Sequence, residues 1–274
     1  MGKLDGVLLV TDYDDTLYGS DNHVSEENQA AIRRFIAQGG SFTVATGRAH
    51  TTFAPQITRE RLRLNAPAVL SNGSAVYDFQ EDRMLMQTFL PPESGLHLAE
   101  VAGVFPALGF EAYHGEDIYV HNPNRVTWSH LRRAGVGHTE CPIPQMPLPW
   151  TKVLLQQEHG LLLKVRDYFR THWPEDYEVI FSNHVLLELT AKGSNKGQAV
   201  LWVARRLGID PTHLYCVGDN QNDLPMLAAA AQGFAPANCA QEVKDWGATI
   251  VGSCDEHCVA QIIELLEQEY EYRR

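Results

Sequence analysis

One stretch constrains the chain more than any other: Leu8-Leu9-Val10-Thr11-Asp12-Tyr13-Asp14-Asp15-Thr16-Leu17. An apolar run rich in Leu and Val that ends abruptly in carboxylates reads as a buried strand carrying acids at its C-terminal edge. In open α/β sheets that edge is where ligands bind. Side chains two residues apart on a strand share a face, so Asp12 and Asp14 can address one small volume. Two carboxylates that close repel each other unless a cation or a shared proton intervenes. Acids after a strand can also simply cap a turn, and the remaining segments decide between these readings.

Downstream, Ser25 reads as an N-cap, Ile32, Phe35 and Ile36 follow at helical spacing, and Gly39-Gly40 stops the helix. A second strand over Ser41 to Ala45 ends in Thr46-Gly47-Arg48. A hydroxyl, a glycine and a cation at a strand end suit an oxyanion: Thr46 donates, Gly47 lets backbone N–H groups approach, and Arg48 adds charge. The bland alternative is a cap followed by a surface Arg. A third strand, Ala68 to Leu70, ends in Ser71-Asn72-Gly73-Ser74, and Ala75 to Tyr77 with Met84 to Thr88 read as two further short strands. Three successive β-units predict a mostly parallel sheet with helices on its faces.

Between about Leu90 and Leu189 the alternation breaks down. Helices are expected over Ser94 to Phe105 and Leu161 to Thr171. Strands are expected at Ile118 to Val120, Lys152 to Gln156, Tyr177 to Ser182 and Leu186 to Thr190, with a proline-rich irregular stretch over Cys141 to Pro149. This reads as an α+β module inserted into an α/β domain. The expected division is a core of residues 1–83 and 190–274 around an insertion of residues 84–189.

In the second half of the core, Lys196 opens a helix bearing Val200, Val203, Ala204 and Leu207. A cation at a helix start opposes the helix dipole, so an anionic partner is expected there unless the lysine merely faces solvent. The buried strand Leu214 to Val217 then runs into Gly218-Asp219-Asn220-Gln221-Asn222-Asp223. Hard divalent cations such as Mg²⁺ take oxygen ligands, usually one or two carboxylates with water and substrate phosphate. Asp12 and Asp219 can be those carboxylates if their strands lie side by side. Shorter β-α units near Gly233 to Ala235 and Thr249 to Val251 finish the sheet.

A formal charge of −12 argues against a nucleic-acid surface, but it does not exclude a phosphorylated small molecule held by a few local cations. No apolar run approaches the roughly 20 residues that span a bilayer. The N-terminus leads straight into the first strand, so no signal peptide is expected. Five cysteines without a framework pattern suit a reducing cytoplasm. Cys254-Asp255-Glu256-His257-Cys258 has a superficially metal-like look but lacks a second Cys/His pair for the four ligands of a zinc site.

Four separated signals thus occur in one order: Asp-x-Asp-x-Thr at Asp12, Thr-Gly-Arg at Thr46, the helix-start Lys196, and Gly-Asp-x-x-Asn-Asp at Gly218. That set resembles the haloacid dehalogenase superfamily, and Ala45 to Arg48, Ser71 to Ser74 and the insertion between them and Lys196 resemble its Cof-type branch. The resemblance covers nearly the whole chain. It implies a Rossmann-like core, mostly parallel, closed by an inserted α+β cap of the C2 type. It further implies that Asp12 is the nucleophile of an aspartyl-phosphate and Asp14 the general acid and base. Thr46, Gly47, Arg48, Lys196 and Asn222 would hold the phosphoryl group. Mg²⁺ would bind Asp12, Asp219 and the backbone carbonyl of Asp14, with Asp223 acting through water. One departure stands out: the branch commonly has Gly after the second acid, where this chain has Asp15. An extra acid there adds negative charge near the phosphate unless it points away or meets a cation.

The expected activity is a Mg²⁺-dependent phosphatase acting on a small phosphorylated metabolite, a sugar phosphate by preference, in the cytoplasm. A phosphosugar mutase using the same intermediate, or a non-catalytic phosphometabolite-binding module, are the alternatives. Intact Asp12, Asp14, Lys196 and Asp219 speak against the latter. Substrate identity should reside in the cap, where Tyr113, His114, His121 and His184 are polar or aromatic residues that could line the cleft or be ordinary surface residues. No nucleic-acid or membrane partner is expected.

Overall fold

The computed structural model describes residues 2–272. In chain order the core begins with β1 (Leu8–Thr11), α1 (Glu26–Ala37), β2 (Ser41–Val44), α2 (His50–Glu60), β3 (Ala68–Leu70), β4 (Ala75–Asp78) and β5 (Arg83–Gln87). The insertion follows with α3 (Ser94–Val104), β6 (Gly109–His114), β7 (Asp117–His121), α4 (Arg125–Ala134), β8 (Thr139–Glu140), β9 (Lys152–Gln156), α5 (His159–His172), β10 (Tyr177–Asn183) and β11 (Leu186–Ala191). The chain then returns through α6 (Lys196–Leu207), β12 (Leu214–Val217), α7 (Leu224–Ala229), β13 (Gln232–Ala235), α8 (Gln241–Trp246), β14 (Thr249–Ile250) and α9 (Cys258–Tyr272).

The core sheet has the order β14-β13-β12-β1-β2 and every neighbouring pair is parallel. All four residues of β1 are buried, because helices cover both faces of the sheet. Alternate residues divide between two cores, as a two-residue repeat requires. Leu9 joins Phe35, Phe42 and Ile262 on the α1/α9 side, whereas Leu8 and Val10 join Val200, Val203 and Met226 on the α6/α7 side. Ser25 caps α1 by accepting from the Asn28 amide at 3.2 Å. β1 pairs with β12, with Thr11 opposite Val217, so the two acid-bearing strand ends lie side by side.

The third strand departs from expectation. β3 is three residues long and pairs antiparallel with β4, which pairs with β5, in a separate three-stranded sheet. Its link to the core sheet is a single parallel bridge between Ala45 and Val69. One edge of so short a strand is already committed to the hairpin.

The insertion forms a six-stranded sheet, β10-β11-β9-β6-β7-β8, antiparallel except for the β7–β8 pair. One face packs α3 and α5 around Trp150, Phe110, Val153 and Phe169. The other carries α4, and its apolar cluster includes Ala49 of the core together with Tyr113, Leu131 and Leu154. The expected strands and both expected helices of this module are present within a few residues. β6, the two-residue β8 and α4 are additional. β6 escaped the sequence pattern because Glu111 sits buried between Phe110 and Ala112, and α4 because it buries only Thr127 and Leu131. Among the described residues no helix is long and apolar enough to cross a membrane.

Candidate active site

Asp12 is the first residue beyond β1, and its amide donates to the Val217 carbonyl at 2.8 Å, extending the ladder to the sheet edge. Beyond β12, Asp223 folds back beneath the loop. Its Oδ2 accepts from the amides of Asp219 and Asn220, each at 3.0 Å. A Cβ on Gly218 would lie 2.4 Å from Asp223 Cβ, so only glycine leaves room for this fold-back. The carboxylates of Asp12, Asp219 and Asp223 consequently converge, with ligand atoms within 4.8 Å of one another. Among the described residues no other group of His, Cys, Asp or Glu gathers in this way. The tract around Cys254 and Cys258 forms no such cluster, and the five cysteines are free thiols.

Lys196, fully buried at the first turn of α6, donates to Asp12 Oδ1 at 2.5 Å and Asp223 Oδ1 at 2.6 Å. The anionic partner expected for this lysine is thus supplied by two carboxylates of the chain itself. Burial alone would lower the ammonium's pKa, yet Asp12 and Asp223 together hold it above its ordinary value. The acids are in surplus. Burial pushes the Asp12 carboxyl up to about 7 against the pull of Lys196, with Asp223 and Asp14 adding to the rise. Burial, then Asp12 and Asp223, likewise raise Asp219 well above the usual carboxylate range. Three clustered carboxylates, two buried and one half-buried, against one ammonium call for a further cation. The donors are all oxygen, which fits a hard divalent ion such as Mg²⁺ and not a thiophilic metal.

Asp14 lies outside that cluster. Its carboxylate is gripped by Arg48, with Nε donating to Oδ2 at 2.8 Å and Nη2 to Oδ1 at 2.5 Å. Asp12, Asp14, Asp15, Gly47, Arg48, Asp219 and Asn222 all line one cavity of about 160 Å³ between core and cap. Lys196, Asp223 and Thr46 lie behind this wall. Thr46 is fully buried and its Oγ1 accepts from the Arg48 amide at 3.1 Å, so it shapes the turn that presents Gly47 and Arg48. Asp15 has φ = 59°. That left-handed backbone explains why glycine is usual there, and aspartate is among the few other residues that adopt it readily. Its side chain faces the same cavity as Arg133 of α4.

Asn72, beside Gly47, and several cap-side wall residues were not among the sequence candidates. Asn222 Nδ2 donates to Asn72 Oδ1 at 3.0 Å, leaving Asn72 Nδ2 buried without a partner. An unspent donor beside Gly47 is what an incoming phosphate oxygen needs. On the cap side, Lys152 is buried and donates to the Gly47 carbonyl at 2.6 Å and to Glu188 at 3.2 Å. His130, Arg133, Ser182 and Asn183 complete that wall. Of the four cap residues singled out earlier, Tyr113 lines the cavity, whereas His114, His121 and His184 are not part of its wall. His114 bonds the Pro149 carbonyl, His121 packs on Phe110 and His184 packs on His159. The cap-side residues alternate along strands as core positions would, and only the pairing of β6, β9 and β11 shows that this face is a cavity wall.

The profile of the haloacid dehalogenase-like hydrolases matches residues 9–263. The chain belongs to that family. The HMP-PP phosphatase of Serratia proteamaculans is 26% identical over 267 residues, covering 94% of each chain. The 5-amino-6-(5-phospho-D-ribitylamino)uracil phosphatase of Bacillus subtilis is 26% identical over 290 residues, covering 96% of this chain and 99% of that one. Among solved structures, a haloacid dehalogenase-like hydrolase from Bacteroides thetaiotaomicron superposes with a TM-score of 0.82 at 25% identity, covering 95% and 99% of the two chains. With the acid cluster intact, this chain is a phosphatase of the family, built as a parallel-sheet core with an inserted cap.

Proposed function

We propose that the chain is a Mg²⁺-dependent phosphomonoesterase that hydrolyses a small phosphorylated metabolite, a sugar or polyol phosphate, through an aspartyl-phosphate on Asp12. The observation that carries this reading is the convergence of Asp12, Asp219 and Asp223 on one point, with a single lysine to balance them. The relative that acts on a phosphoribityl compound supports the substrate class. In this reading the inserted segment, α3 through β11, is the specificity module; it is narrower at its start than the expected 84–189 because β5 pairs with β4, and it runs on to Ala191.

Asp12 and Asp219, with the Asp14 carbonyl and Asp223 through water, would hold Mg²⁺, which when bound neutralises charge on the acids and the phosphate. An Asp12 oxygen attacks phosphorus and the bond from phosphorus to the leaving oxygen breaks in line. Lys196 holds the Asp12 carboxylate in place. Asp14 gives its proton to the leaving oxygen. Water then attacks the acyl phosphate, Asp14 takes a proton from it, and Asp12 is regenerated as phosphate departs. Arg48 occupies both Asp14 oxygens, so Asp14 can act only after Arg48 has turned to a competing anion. The incoming phosphate is such an anion. Asn72, Asn222 and Gly47 supply further contacts to the phosphoryl oxygens.

Hydrolysis of para-nitrophenyl phosphate with Mg²⁺ and with EDTA tests the activity. Turnover that survives EDTA, or none in either condition, overturns the proposal. The acid surplus gives an independent prediction. Asp12 rises from 3.8 in the unfolded chain to about 7 in the metal-free fold. The folded state therefore holds the extra proton, and stability is greatest below the unfolded value and declines as pH rises toward 7. Mg²⁺ stabilises the ionised form by mass action. Its melting-temperature increment is expected to be larger at pH 8 than at pH 5.5. An equal or smaller increment at pH 8 would contradict the surplus.

A further inference from the structure

The cavity is lined by four basic side chains, Arg48 from the core and Lys152, His130 and Arg133 from the facing cap, and they differ in how they are spent. Arg48 is bound at both ends of the Asp14 carboxylate. Lys152 is buried and divided between Glu188 and the Gly47 carbonyl. His130 gives Nδ1 to Glu111 at 2.9 Å. Glu111 is fully buried, and it also accepts from Tyr113 Oη at 2.9 Å and Gln156 Nε2 at 2.6 Å, so its position is fixed from three sides. A carboxylate held this way orients the imidazole and leaves Nε2 as the free nitrogen. Arg133 is exposed and makes no hydrogen bond or ion pair within 4 Å among the described residues. It lies three residues after His130 on α4, and that spacing puts both on one face of the helix. On the same cap-side wall Ser182 sits at a bulge in β10, with its Oγ buried and unpartnered.

We propose that Arg133 and His130 form a leaving-group subsite selecting substrates that carry a second anionic group, a carboxylate or another phosphate, beyond the phosphoryl group transferred. The proposal rests on the phosphatase reading and narrows it: a phosphorylated sugar acid or a bisphosphate is preferred to a neutral polyol phosphate. Arg133 supplies the charge and a planar pair of donors to that anion, while His130, with Nδ1–H given to Glu111, presents Nε2 as an acceptor to a hydroxyl of the leaving group. Ser182 offers a further hydroxyl to the body of the leaving group. The rival role for Arg133 is a latch that closes the cap on Asp15, the core acid after Asp14 that shares the cavity.

Phosphonates separate these roles because their C–P bond is not hydrolysed. Calorimetry on the full chain with Mg²⁺ compares propylphosphonate, 3-phosphonopropionate and propane-1,3-bisphosphonate. The wild type is expected to bind one or both doubly anionic probes about tenfold or more tighter than propylphosphonate, and which of the two gains identifies the anion. Arg133→Ala should remove that gap and Arg133→Lys should retain part of it. Arg133 is a surface residue of α4, so the variants keep the fold. Equal affinity of the wild type for all three probes overturns the subsite, as does a gap that survives Arg133→Ala. A uniform loss for all three probes in both Arg133→Ala and Asp15→Asn establishes the latch and overturns the subsite as well. A gap that behaves as expected in a protein unable to hydrolyse para-nitrophenyl phosphate removes the proposed activity and leaves the subsite standing.

Discussion

Replacing Asp12 with asparagine is expected to lower kcat for para-nitrophenyl phosphate by about 10⁴-fold or more, with the fold intact. The amide keeps the shape of the carboxylate and can still accept from Lys196, so positioning survives while the attacking charge is gone. The stability change is expected to have the opposite sign to that of most point substitutions. Asp12 is buried in an acid surplus that pushes its carboxyl up to about 7, so ionising it at pH 8 costs the metal-free fold free energy. The asparagine variant should melt at or above the wild-type temperature in EDTA at pH 8, and it should gain less from Mg²⁺. Activity within tenfold of wild type would falsify the role of Asp12 as nucleophile.

Lys196→Met should fail in the other direction. Its ammonium is the common partner of Asp12 and Asp223, and all three groups are buried. Removing one member of a buried ionic set leaves its partners uncompensated, at a cost of about 3–5 kcal/mol. Urea denaturation in EDTA at pH 8 should show that loss, and Mg²⁺ or a lower pH should recover part of it. Catalysis should fall by about 10²- to 10³-fold even with saturating Mg²⁺, since a preorganised donor is gone. A methionine variant as stable as wild type at pH 8 without metal would mean that the three carboxylates are not a charged set. Two neighbours in one ion pair thus carry opposite predicted effects on stability, because one belongs to the surplus and the other offsets it.

The acid-bearing strand ends were legible because a short apolar run giving way to Asp is a local pattern, and it occurs twice, before Asp12 and, after Gly218, at Asp219. Lys196 was legible for a different reason: a cation at a helix start is out of place without an anion. Asp223 was visible as an acid but not as the post on which the Asp219 loop is hung, since that depends on Gly218 and a backbone fold-back. Asp15 looked like an anomaly in sequence, and its φ of 59° accounts for it as backbone geometry. The cap wall was the least legible part. Glu111, Lys152 and Glu188 stand on strands where apolar residues are expected, and α4 has too few buried residues to show a helical stripe. The third strand was read correctly as a strand, yet a three-residue segment contains nothing to say which sheet it joins.

The sequence by itself determined the parallel α/β core, the presence of an insertion, and the acids and lysine that the chemistry uses, because each is encoded within a few neighbouring residues. Tertiary structure alone decided that Asp12, Asp219 and Asp223 meet, that Arg48 holds Asp14, and that His130 and Arg133 look across at them. Those facts depend on strand order and on how the cap sheet faces the core. Both are set by burial of apolar surface summed over the whole molecule, to which residues far apart in the chain contribute together and which no short window of sequence contains.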